Sequence, residues 1–215
     1  MKKIFVAVLL LSLATSVFAV DISFGAGGSV GLLTWQDIKG TAAGTSAEIV
    51  ERAVPIDVKV FADVTIFQFS FGYMFLVLPY QATTLAGTTT TTSLDGYTSY
   101  LTFAAYAKYP FAVGPISIFP LIGLEYRLNL TWGLGPVSKD SLPSAEQASL
   151  NELWLQGGAG MDISFGAMYV RTEVLLGFKP NLGTYDNDLL QAFAAASPSI
   201  SYFNANVDFL IGVKL

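Results

Sequence analysis

From Phe203 to Leu215 every second residue is apolar: Phe203, Ala205, Val207, Phe209, Ile211, Val213 and Leu215. Asn204, Asn206, Asp208, Leu210, Gly212 and Lys214 lie between them. Side chains on a strand point alternately to opposite faces, so this segment predicts a strand with one oily face and one polar or small face. Near the start, Val20, Ile22, Phe24, Ala26, Val30 and Leu32 alternate in the same way with Asp21, Ser23, Gly25, Gly27, Ser29 and Gly31. Six more segments repeat the pattern, at about 56–64, 67–77, 98–109, 116–132, 152–163 and 168–179. In the second of these, Phe67, Phe69, Phe71, Tyr73, Phe75 and Val77 share a face, with Gln68, Ser70, Gly72 and Met74 opposite.

Eight strands of roughly 10 to 16 residues follow, and the shorter of these have the length a tilted strand needs to cross a bilayer. Their connections alternate between short and long. The short ones fall at Thr65-Ile66, at the Gly/Pro turn 110–115 and at 164–167; the long ones fall at 34–54, 81–97, 133–151 and 180–199. Short turns on one rim and long loops on the other predict an all-β, eight-stranded, antiparallel up-and-down transmembrane β-barrel with short periplasmic turns and long extracellular loops. An even strand number places both chain ends on the periplasmic rim. Aromatics at the predicted strand ends fit two girdles: Tyr80, Tyr97, Trp132 and Phe178 outside, Phe67, Tyr109, Phe111 and Phe165 inside. Pro120 falls within a strand, where it cannot donate a ladder hydrogen bond, and predicts a bulge.

The first residues change the picture of where the chain goes. Met1-Lys2-Lys3, an apolar run from Ile4 to Leu13, and small residues up to Ala19 predict a secretory signal (residues 1–19) cleaved after Ala19, leaving residues 20–215 as the barrel. Without Lys2 and Lys3 the chain has 9 basic and 16 acidic residues, an acidic balance that argues against nucleic acid as a partner. Charged residues make up only 13% and hydrophobic ones 53%, too little charge to coat a soluble exported barrel such as a lipocalin-like carrier. Outer-membrane lipids are therefore the expected surroundings, in a Gram-negative-type envelope.

With this strand order the chain resembles the small eight-stranded outer-membrane barrels of the OmpW, OmpA, OmpX and opacity-protein kind. The resemblance spans the mature chain and is one of architecture, with Tyr109-Pro110-Phe111 and Phe119-Pro120-Leu121-Ile122-Gly123-Leu124-Glu125-Tyr126 in the style of such sequences. The closing run from Val207 to Leu215 is similar to the C-terminal signal read by the outer-membrane assembly machinery, but ends in Leu215 where such signals carry an aromatic. The resemblance implies that machinery as a partner during biogenesis.

Candidate chemistry is sparse. The chain has no histidine and no cysteine, which excludes Ser-His-Asp and Cys-His nucleophiles and leaves little to hold zinc. No enzymatic activity and no cofactor are expected. By parity, Asp57, Lys59, Glu125, Arg127, Arg171, Glu173 and Asp208 point inward and predict a lumen salt-bridge network, since isolated charges cannot be desolvated cheaply. The order of charge reverses between Glu125/Arg127 and Arg171/Glu173, so these pairs are expected to face each other across the barrel. Leu76, Leu78, Tyr100, Trp154 and Leu175 are also inward and form a candidate apolar pocket, the first four towards the long loops. Two functions fit: a barrel that binds or passes small hydrophobic molecules through its outer half, or a structural or adhesion protein whose loops contact a host-surface molecule. In the second, residues 83–92 and 133–151 are the candidate contact loops.

Overall fold

The computed structural model describes residues 21–42, 45–85, 88–92, 96–134, 137–180 and 199–215. The expected signal segment, residues 1–19, lies outside them. Among the described residues, eleven strands form one antiparallel sheet. Eight are long: β1 (Ile22–Ala42), β2 (Thr45–Val64), β3 (Phe67–Leu85), β5 (Gly96–Lys108), β7 (Ile116–Leu134), β9 (Glu152–Phe165), β10 (Met168–Phe178) and β11 (Ser199–Lys214). Each pairs with its neighbours in chain order, and β1 pairs with β11, so the sheet closes into an eight-stranded up-and-down barrel. Three short strands decorate it: β4 (Thr88–Thr92) on β3, and β6 (Phe111–Val113) and β8 (Val137–Ser138) on β7.

The register fixes the barrel's size. A circuit through directly paired residues runs Trp154, Glu125, Ala104, Ser70, Phe61, Gly25, Gly212, Tyr169 and back to β9 at Ser164, ten residues beyond its start. With a rise of about 3.3 Å per residue and strands about 4.8 Å apart, a stagger of ten over eight strands gives a tilt of about 40° and a backbone radius of about 8 Å. Each residue then advances about 2.5 Å along the axis, so the 11 residues of β10 match an apolar band about 25 Å tall.

Alternation sorts the side chains as the sequence predicts. Phe67, Phe69, Phe71, Tyr73 and Phe75 are exposed outside, while Gln68 and Met74 between them are buried inside. Ile56, Val58 and Val60 lie outside around buried Asp57 and Lys59, and Phe209 and Ile211 outside around buried Asp208 and Leu210. The exterior is oily and the interior polar. Of the expected girdle residues, Tyr97 and Phe178 are exposed at the loop rim, and Phe67, Tyr109, Phe111 and Phe165 at the turn rim; the Tyr80 side chain lies outside the described residues.

The turn rim is made of tight connections: Thr65-Ile66 between β2 and β3, Gly114-Pro115 between β6 and β7, and Gly166-Ala167 between β9 and β10. Gly114 and Gly166 take positive φ (62° and 69°), open to glycine without steric cost, whereas Thr65 holds φ 56° with a β-branched side chain. The start of β1 and the end of β11 meet on this rim, where the Leu215 N–H donates to the Ile22 carbonyl at 2.9 Å.

Two expectations need correction. The segments 34–54 and 81–97 are not simple loops. β1 and β2 stay paired out to Ala42 and Thr45, and β3 continues to Leu85, where β4 folds back on it. Pro120 causes no bulge either: β7 and β9 pair without a shift from Ile116 to Arg127, with Pro120 opposite Ala159. Its carbonyl accepts from the Tyr109 N–H at 3.2 Å, on the side where β5 has just ended, so the missing N–H costs the sheet one bond at a strand terminus.

Candidate functional site

The inward charges fall into three tiers along the lumen. Nearest the turn rim, Arg171 on β10 is a hub. Its Nε and Nη2 donate to both oxygens of Asp162 (2.7 and 2.9 Å), Nη2 also donates to Asp63 at 2.8 Å, and Nη1 donates to Gln68 at 3.0 Å. Its guanidinium lies about 5 Å from the rings of Phe61, Phe119 and Tyr169, and Lys108 adds a second cation on Asp63 at 2.8 Å. Two bases thus meet two acids, with Ser23 donating to Asp63 at 3.0 Å. Lys214 stays at the exposed rim, bonded to Ser164.

At the loop end, Glu152 is the hub. It accepts from Lys179 at 3.0 Å and from the Trp154 indole N–H at 2.8 Å, and Arg127 lies 3.7 Å away. The Arg127 guanidinium sits 4.5 Å over the Trp154 ring while its Nε donates to Glu125 at 2.6 Å, and Trp154 meets Tyr202 edge-on. The segment above is tied to the wall. Lys139 donates to the Asn129 carbonyl at 2.6 Å, Asn151 accepts from the Asn129 N–H at 2.9 Å, and a short helix, α1 (Ser144–Ser149), lies between these two ties.

Between the two hubs, Lys59 bridges Asp208 at 2.9 Å and Asp57 at 3.2 Å. Glu173 is fully buried, held by the Gln68 amide at 3.2 Å with Arg171 at 3.7 Å. Tyr106 donates to Gln156 within the fields of Glu125, Asp208 and Glu173.

The seven charges picked from the sequence are thus all buried in the lumen, but their partners differ from expectation. Glu125/Arg127 and Arg171/Glu173 do not pair across the barrel: Arg127 turns to Glu125 and Glu152, and Arg171 to Asp63 and Asp162. Glu152 and Lys179 complete the outer tier; their place at the loop end of inward-facing strand positions was the signal available for them.

The five apolar candidates separate. Leu76 and Tyr100 cluster with Ala53 and Met74; Leu175 packs in a different group with Ala104, Tyr106, Phe119 and Leu121; Trp154 belongs to the charged outer tier. The Leu78 side chain lies outside the described residues.

A closed barrel with an oily band outside and charges inside is built to sit in lipid, and tight turns on one rim with long connections on the other are the pattern of one bacterial envelope layer. The chain is an outer-membrane β-barrel. No family model matches it, and no curated protein matches it in sequence. Among solved structures the barrel is similar in fold to Neisserial surface protein A, NspA, with 11% identity over 89% of this chain and 99% of that one (TM-score 0.46). It is also similar to the outer membrane protein OprG from Pseudomonas aeruginosa, with 13% identity over 92% and 96% (TM-score 0.41).

Proposed function

We propose that the protein is a non-enzymatic surface barrel that makes its contacts through external hairpins, with the transmembrane part as a plugged anchor. One observation carries this reading: β1 and β2 remain paired well beyond the bilayer. Phe178 pairs with Phe203 and Phe203 with Trp35, and β1 then runs seven residues further, to Ala42. That is about 17 Å of ladder beyond the outer girdle at about 2.5 Å per residue. The stretch 36–52 carries Asp37, Lys39, Glu48, Glu51 and Arg52, whereas the outward positions of these strands within the band carry no charge. Such a hairpin belongs in water, facing a host-surface or matrix molecule.

The lack of histidine and cysteine supports the non-enzymatic part. During biogenesis the closing strand β11 is the segment the assembly machinery would read. The test is attachment. Cells displaying the barrel with residues 37–50 replaced by an Asn-Gly turn should bind host cells or coated matrix several-fold less than cells displaying the full chain; equal attachment rules the reading out.

A second reading, passage of small apolar molecules, has one observation in its favour. The cluster of Ala53, Met74, Leu76 and Tyr100 adjoins an irregularity in the wall, where the β1–β2 register shifts between Val30 and Thr34 and Pro55 lies opposite Leu76. Leu76→Arg should weaken binding of a fluorescent fatty-acid analogue to the refolded barrel. An unchanged affinity removes the cluster from consideration.

A further inference from the structure

The middle tier of the lumen does not balance. The turn-rim tier sets Arg171 and Lys108 against Asp63 and Asp162, and the outer hub sets Lys179 against Glu152. Between them, Asp57, Glu125, Glu173 and Asp208 face Lys59 and Arg127, with Arg171, already shared by Asp63 and Asp162, 3.7 Å from Glu173; counted with both hubs, seven lumen carboxylates among the described residues meet five cations, a surplus of two negative charges. These groups share one space: Asp57 feels Lys59, Glu125 and Asp208, and Glu173 feels Arg171, Asp208 and Lys59.

A second observation concerns hydrogen bonding. Among the described residues, Asp208 Oδ1, Glu173 Oε1, Asn206 Oδ1, both amide atoms of Asn204, Gln156 Nε2 and Arg127 Nη2 are buried without a hydrogen-bond partner. All lie on inward strand positions. Buried polar groups are nearly always satisfied, and a concentration of unmatched donors and acceptors in one place is what ordered water fills. Surplus carboxylates in the same space attract cations, as rings of acidic side chains do in cation pores.

We propose that the lumen holds a hydrated, cation-attracting chamber closed by two charge plugs in series, the Glu152 hub outside and the Arg171 hub at the turn rim. The barrel is then a cation-selective pore shut twice. Opening one plug leaves the other in place, so conductance should appear only when both are removed.

Planar bilayers in potassium chloride test this, using barrels whose heat-modifiable migration shows that they are folded. The wild type, Glu152→Ala and Arg171→Met should each lack steady current, and the double variant should conduct at least ten-fold more than either single variant. Methionine retains volume between the Phe61, Phe119 and Tyr169 rings; where it does not fold, Asp162→Asn loosens the same plug. In a potassium chloride gradient the double variant should reverse near the potassium equilibrium potential, and adding Asp208→Asn should move that reversal towards zero. A single variant that conducts as well as the double overturns the series arrangement. A silent double variant overturns the chamber, and an unselective or anion-selective one overturns its attraction for cations.

Discussion

Arg171 and Glu173 stand two residues apart on β10, both shut inside the barrel, and their removal is expected to act with opposite sign. Arg171 satisfies Asp63, Asp162 and Gln68 together. Truncation to Ala leaves two buried carboxylates with less compensation and an empty slot among three rings. Breaking such a pair typically costs about 3–5 kcal/mol in a dry site, less if water enters. Glu173 belongs to the surplus. Glu173→Gln keeps an amide partner for Gln68 and removes one charge of that surplus at the cost of a long contact to Arg171, so stability should hold or rise. Urea unfolding in lipid vesicles measures both; equal losses would mean that Glu173 is as well compensated as Arg171. Glycine at 123 marks a further limit at this scale. Its inward parity suggests a roomy position, yet a Cβ there would lie 2.0 Å from the Ala105 carbonyl oxygen, so even Gly123→Ala must push β5 and β7 apart.

At the scale of the strand, the two faces should respond differently to the same charge. Arg at Leu124 or Val207 faces lipid and should cost about 2–4 kcal/mol near the midplane. Arg at Asn206 enters the tier with surplus negative charge and should cost less; equal losses in vesicle unfolding would contradict the face assignment. The β2–β3 turn offers a gain instead. Thr65 holds φ 56°, where a β-branched residue is strained by about 1–2 kcal/mol, and Asn tolerates that region better. Thr65→Asn should therefore raise the unfolding midpoint, and a lower midpoint would show that the Thr side chain contributes more than its backbone strain costs. The faces were legible because strand parity is a local property, readable from Phe203 to Leu215 without a partner strand. Where a strand leaves the membrane was not: Gly40, Gly44 and the charges around them read as loop, although charge on a strand in water is no obstacle to pairing. Lumen partners were not legible for another reason. Whether Arg171 reaches Asp63 or Glu125 depends on the ten-residue stagger, which accumulates over eight separate pairings.

At the scale of the molecule, that stagger divides the labour between membrane and surface. A barrel of about 8 Å backbone radius is narrow enough for inward side chains to meet across it, so the membrane section can be held together by its closed ladder and lumen contacts without help from outside. The plug hubs described above draw on β2, β3, β5, β7, β9 and β10, together with Lys179 just past the end of β10. On the proposed reading the hairpin's ladder stands in water, where a two-stranded ribbon is marginal by itself, and shortening a connection lowers the entropy cost of closing it. Replacing residues 37–50 by Asn-Gly should therefore leave the unfolding free energy within about 1 kcal/mol of the full chain, even while surface contacts are lost. The measurement is urea unfolding of both proteins in the same vesicles, followed by tryptophan emission. A loss of several kcal/mol would show that the extended β1–β2 ladder is part of what holds the barrel closed, and the separation of anchor from display would fail.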